Sequence, residues 1–173
     1  DSISVQLFQL MLGRDAPLSL DEAAEIIGGQ KARIGRILER FRSSNMVERV
    51  PRTDRLAVAL WNAMTAQHQR RGEDWILKKG GFQRILNEKQ QSKLLMALKK
   101  GKLSIDDVAK EMQNVEPKQQ MLLLNLLGGR LPMGHRMNGE DAAQVQRNVQ
   151  DSLDRVLRRM RRVAEMLESE LSM

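Results

Sequence analysis

Apolar residues recur at helical spacing along most of the chain. Ile3, Leu7, Leu10 and Met11 fall three and four apart, which predicts a short helix over 3–12, closed by Gly13. Ser19-Leu20-Asp21-Glu22 reads as a capping box, in which the Ser19 hydroxyl accepts from the amide three residues on and Glu22 reaches back. It opens a second helix over 20–27 that Gly28-Gly29 stops. A third helix follows at once over 30–43, with Ile34, Ile37, Leu38 and Phe41 as its inward stripe. Asn45, which tolerates the left-handed conformation, ends it. Residues 46–50, then the alternating Leu56, Val58 and Leu60, predict two short strands around a polar tip, Pro51-Arg52-Thr53-Asp54.

Further along, the pattern predicts helices over 63–71, 82–86, 90–98 and 118–127. Leu103-Ser104-Ile105-Asp106-Asp107-Val108-Ala109 echoes Leu18-Ser19-Leu20-Asp21-Glu22-Ala23-Ala24. The echo is either a degenerate second helix-turn-helix or the chance recurrence of a capped helix. Its third helix, Met121-Leu122-Leu123-Leu124-Asn125-Leu126-Leu127, carries no basic face and is expected to be buried. Residues 132–139 read as a linker, and 140–171 as one long helix. There Val149, Leu153, Val156, Met160, Val163 and Leu167 alternate four and three apart, a heptad seam widened by Leu157, Ala164 and Leu171. Valine at the d-type positions does not favour a parallel zipper. The seam is expected partly to close a bundle within the chain and partly to form a homodimer.

Composition agrees with packed helices. Of 173 residues 41% are hydrophobic and only 3% aromatic, so the core must be aliphatic. There is no Cys, which removes disulfides and thiolate metal sites and suits a reducing, cytoplasmic setting. The first residues lack the basic start of a signal peptide, Asp1 points to a start inside a longer reading frame, and no apolar run suggests a membrane partner. The formal net charge is +7, which favours a polyanionic partner. The excess is concentrated between residues 63 and 102, with 10 basic against 3 acidic side chains, while within the first 62 residues positive charge gathers on the third helix.

That helix carries the one recognisable resemblance. Arg33-Ile34-Gly35-Arg36-Ile37-Leu38 and Asn45-Met46-Val47-Glu48-Arg49 are similar to the recognition helix and following strand of winged helix-turn-helix transcription regulators of bacteria, of the MarR and IclR kind. The likeness covers residues 18–49. Arg33 and Gly35 depart from it, standing where a small hydroxyl residue and a serine are usual. The resemblance implies a winged helix-turn-helix with a small β-wing over 1–71; beyond it, where no family is matched, the apolar pattern implies a helical domain over 72–136 and an assembly helix over 137–173, so the whole is expected to be mainly α. It implies double-stranded DNA as partner, transcription regulation as function and association with the nucleoid.

The candidate DNA contacts are Gln30, Lys31, Arg33, Arg36 and Arg40 on the helix, and Arg49, Arg52 and Arg55 at the wing. Arginine can bridge a guanine edge, and either basic residue can neutralise phosphate. Lys78, Lys79, Lys99, Lys100 and Lys102 read as solubilising charge, and Arg158, Arg159, Arg161 and Arg162 as an exposed helix face. His68 and His135 read as isolated surface histidines. No phosphate loop or nucleophile–base pair is evident, so neither catalysis, a cofactor nor a metal is expected. Two other roles suit a winged helix: a protein-binding module of a chromosome-condensing complex, and plasmid replication or partition.

Overall fold

The computed structural model describes residues 2–172, a mainly helical chain with a small two-stranded antiparallel sheet. It divides into two compact units. The first comprises Asp1–Val50 and Met133–Met173, the second Pro51–Pro132. This partition differs from division at residues 71 and 136, because the chain leaves the first unit in mid-sheet and returns to it about 80 residues later.

In the first unit, α1 spans Ser2–Leu12, α2 Leu20–Ile27 and α3 Lys31–Ser43. The expected cap of α2 is made: Ser19 Oγ accepts from the Glu22 amide at 3.2 Å, and Glu22 accepts from the Ser19 amide at 3.0 Å. Gly28 closes α2 at φ 71°, a conformation that costs a side chain about 1 kcal/mol or more. Strand β1, Val47–Pro51, follows α3, and its partner β2 is Met133–Met137. Leu18 adds a short bridge on β2, exchanging both backbone hydrogen bonds with His135 at 2.7 and 2.8 Å. The core gathers Leu7, Met11, Leu18, Ala23, Ile34, Ile37, Leu38, Val47, Met137 and Val145. Helix α10, Ala142–Leu171, leaves this core after its first turns.

Three asparagines fasten the base of α10. Asn45 takes φ 62° at the end of α3 and its amide donates to the Asn148 carbonyl at 3.1 Å. Asn138 Nδ2 donates to the Asn45 carbonyl at 3.0 Å, and Asn148 Nδ2 to the Asn138 carbonyl at 2.6 Å. Beyond this clasp the seam finds no cover. Leu153, Val156, Leu157, Met160, Val163, Met166 and Leu167 are each 50–63% exposed, and Leu171 more so.

Two expectations are overturned here. Residues 55–60 are not a strand. A 3-10 turn, Thr53–Arg55, leads directly into α4, Leu56–Arg71. Leu56, Leu60, Ala63 and Met64 are its buried positions, spaced as one helical face, and Val58 is only half-buried. Residues 132–139, expected as a linker, instead supply the second strand.

The second unit continues with α5, Glu73–Lys78; α6, Phe82–Ile85; α7, Glu88–Lys99; α8, Ile105–Met112; and α9, Pro117–Leu126. Its core runs from Leu56, Leu60 and Met64 through Ile76, Phe82 and Leu94 to Val108, Met112, Leu123, Leu124 and Leu127. The α9 leucines are thus buried as their composition requires. Ser104 and Asp107 form a capping box at the start of α8, as Asn87 and Gln90 do at the start of α7. Trp61 Nε1 donates to the Leu103 carbonyl at 2.7 Å, satisfying the indole at the core edge. The ends of the unit lie side by side, with the Arg52 amide bonded to the Pro132 carbonyl at 2.8 Å.

Candidate nucleic-acid interface

Helix α3 buries one face and exposes the other. Ile34, Ile37 and Leu38 point into the core, so the residues between them must point out. Lys31, Arg33, Arg36, Arg40 and Arg42 are all exposed, and Glu39 is the acid among them. Gln30 is the N-cap residue: its carbonyl accepts from the Arg33 and Ile34 amides at 2.9 and 3.1 Å, while its side chain makes no capping bond. The Gln30 side chain therefore caps none of the first-turn amides of α3, at the end of the helix where its dipole favours an anion.

The cations are not equivalent. Lys31 is ion-paired with Asp21 of α2. Arg42 is held by Glu39 through two hydrogen bonds, at 2.6 and 3.0 Å. This pairing holds the Glu39 carboxyl below its ordinary range and the Arg42 guanidinium above its own. Arg36 lies back along the helix, its Nε donating to the Ala32 carbonyl at 3.4 Å. Among the described residues no carboxylate is paired with Arg36 or Arg40, so these two face solvent with their charge uncompensated.

The sheet brings more groups to the same region. Arg49 is exposed on β1, near enough to bias the titration of both Glu39 and His135. Arg136 on β2 pairs across the sheet with Glu48 at 2.6 Å. His135 is not a free surface residue. Its ring is half-buried, and among the described residues its Nδ1 has no hydrogen-bond partner. Burial pushes the imidazole below its ordinary pKa, with Arg49 and Arg42 adding to that; the Leu18 main chain beside the ring opposes it. Neither His135 nor Arg136 could be found from the sequence, since only pairing with a strand about 80 residues earlier brings His135 near Glu39 and Arg42 of α3 and Arg136 to Glu48.

The two remaining candidates fall in the second unit, and one is corrected. Arg52 is only 5% exposed, its guanidinium bound to Asp54 at 2.6 and 3.2 Å. It is a packed, paired side chain at the start of the 3-10 turn, not a tip reaching into solvent. Its hydrogen bond holds the Asp54 carboxyl below the usual carboxylate range. Arg55 is exposed, 3.8 Å from Asp54.

The overall charge excess does not belong to the α3 unit. Residues 51–132 carry 15 Lys and Arg against 8 acidic residues, a net of +7, whereas the remainder is balanced at 14 of each. Positive potential at α3 is therefore a local arrangement on one helix face. His68, read as an isolated surface residue, is half-buried and 3.9 Å from Glu73. Among the described residues no helix is long and apolar enough to cross a membrane. No family model matches the chain, and neither a curated protein nor a solved structure is detectably similar to it.

Proposed function

We propose that the chain binds duplex DNA through α3 and regulates transcription by sequence-specific binding. One observation carries this reading: a helix that follows a capped helix and a glycine turn presents Arg36 and Arg40 outward while its opposite face locks it into the core. In this reading α1, α2, α3 and the sheet form a winged helix-turn-helix. The β1–β2 pair is its wing, and Pro51–Pro132 is inserted between the wing strands. Arg36 contacts a base edge, Arg40 and Lys31 contact phosphates, and Arg49 on β1 reaches the flanking backbone. Two copies, joined through α10, pair two half-sites, because one short helix supplies little specificity alone.

The test begins with salt. Affinity for random duplex, followed by fluorescence anisotropy, should fall steeply between about 50 and 200 mM salt. Sites enriched from a random pool then separate the side chains. Arg36→Ala should erase preference at one base pair, a cost of about 1–3 kcal/mol on the selected site and little on random DNA. Lys31→Ala should weaken both duplexes alike. Equal losses for both variants on both duplexes would defeat this division of roles. Absence of any binding at low salt would favour a protein-binding module instead.

A further inference from the structure

Resting on the reading of α10 as the dimer helix, we propose that two copies of α10 pair antiparallel, centred between Arg161 and Arg162. The uncovered face of α10 runs from Leu153 to Leu171, about 27 Å at 1.5 Å per residue. Two such faces laid together bury surface on the order of 1,500 Å², the size of an ordinary stable interface. The occupant must match both the apolar pattern and the charge of this stretch, and a second copy turned end for end does so.

Charge comes first. The stretch is divided into blocks: Asp151 and Asp154, then Arg155, Arg158, Arg159, Arg161 and Arg162, then Glu165, Glu168 and Glu170. A parallel, in-register pair sets the five arginines of one copy beside those of the other, and glutamates beside glutamates. The antiparallel pair sets the Arg155–Arg158 end of each arginine block level with Glu165 and Glu168 of the other copy; these side chains lie on the outer faces beside the seam, so the attraction acts at low salt, where the Debye length reaches about 30 Å. Only the centre retains like charges.

Packing agrees. Leu153, Met160 and Leu167 occupy one seam row, and Val149, Val156 and Val163 the other. Parallel pairing stacks valine on valine and long side chain on long side chain. Turned end for end about the same centre, Val156 meets Leu167 and Met160 meets Val163, so every central layer joins a branched short residue to a longer one. Leu157 and Ala164 then flank each other on one side, extending the apolar contact.

The absence of cysteine permits a clean test, since any disulfide reports an introduced residue. Val156→Cys alone, oxidised mildly, should give no linked dimer. Mixed with Leu167→Cys it should give the linked heterodimer, because only that pair lies within the few ångströms a disulfide spans. Linking of Val156→Cys to itself would show parallel pairing and overturn the proposal. A second variant reads orientation without a crosslink. Arg155→Glu should weaken the dimer about five-fold at low salt, and adding Glu168→Arg should restore it; tightening by Arg155→Glu alone would again mean parallel helices. Light scattering of the unaltered chain separates the two levels. A monomer at micromolar concentration would remove the dimer itself, whereas a dimer that fails both orientation tests would remove only the antiparallel arrangement.

Discussion

Gly35 shows how little of α3 is forced by the backbone. It sits in mid-helix, where glycine is about 1 kcal/mol worse than alanine. A Cβ built there would meet the two methyls of Leu20 at 3.7 Å, ordinary contact rather than collision. Gly35→Ala should therefore raise stability by about 0.5–1 kcal/mol, read as a higher midpoint in urea with an unchanged slope; a lower midpoint would mean that α2 and α3 need the closer approach. His135 supplies the pH dependence. Its folded-state pKa lies below the ordinary 6.5, so the unfolded chain binds the proton more tightly. The stability this neutral ring contributes is complete above about pH 6.5 and is lost as pH falls toward the depressed folded value. His135→Gln should flatten the difference in thermal midpoint between pH 7.5 and 5.5 relative to the parent chain. An identical pH profile in the two proteins would assign the acid sensitivity elsewhere.

At the scale of elements, what could be read from the sequence was what is local. The α2 cap, the α3 stripe and the left-handed Asn45 depend on residues a few positions apart, and each is present in the structure. The misread segment, 55–60, is too short for its period to be decisive. Leu56, Val58 and Leu60 alternate as a strand would, but Leu56, Leu60, Ala63 and Met64 share one helical face, and the longer pattern prevails. Residues 133–137 fail for a different reason. Met-Gly-His-Arg-Met has little intrinsic preference for a strand, and becomes one because β1 offers it backbone partners. Of the candidate interface, α3 was legible from its own periodicity, whereas the burial of Arg52 depended on a turn that the strand expectation hid. The second unit should be separable. Its core is contained in Pro51–Pro132 and its ends are bonded to each other, so that segment made alone should unfold in one cooperative transition with a helical circular dichroism spectrum. A non-cooperative melt would show that it depends on the rest of the chain.

For the whole molecule, the antiparallel pairing proposed for α10 would set the distance between the two copies of α3. From Ala142 to the proposed centre is about 30 Å of helix, so the two α10 N-termini lie roughly 60 Å apart. That corresponds to half-sites about two turns of duplex from centre to centre, rather than one. Selection from a random duplex pool should return inverted repeats with that separation. Repeats one turn apart would require parallel helices, with both copies of α3 at the same end.

The split of the first unit also dictates an order of events during synthesis. Leu7, Leu18, Ile34 and Val47 leave the ribosome early, but the core they belong to also needs Met137 and Val145. Between Val50 and Val145 about 95 residues must be added, a delay of roughly 5–20 s at elongation rates of about 5–20 residues per second. Pro51–Pro132 is contiguous, so if it folds alone, as predicted above, it does so within that interval, second in the sequence yet first in time. Throughout it the amino-terminal helices wait with their apolar faces uncovered, the stage at which a chaperone or a protease meets them. A chain cut short before Val145 would then carry the arginines of α3 without the core that fixes the direction in which they point.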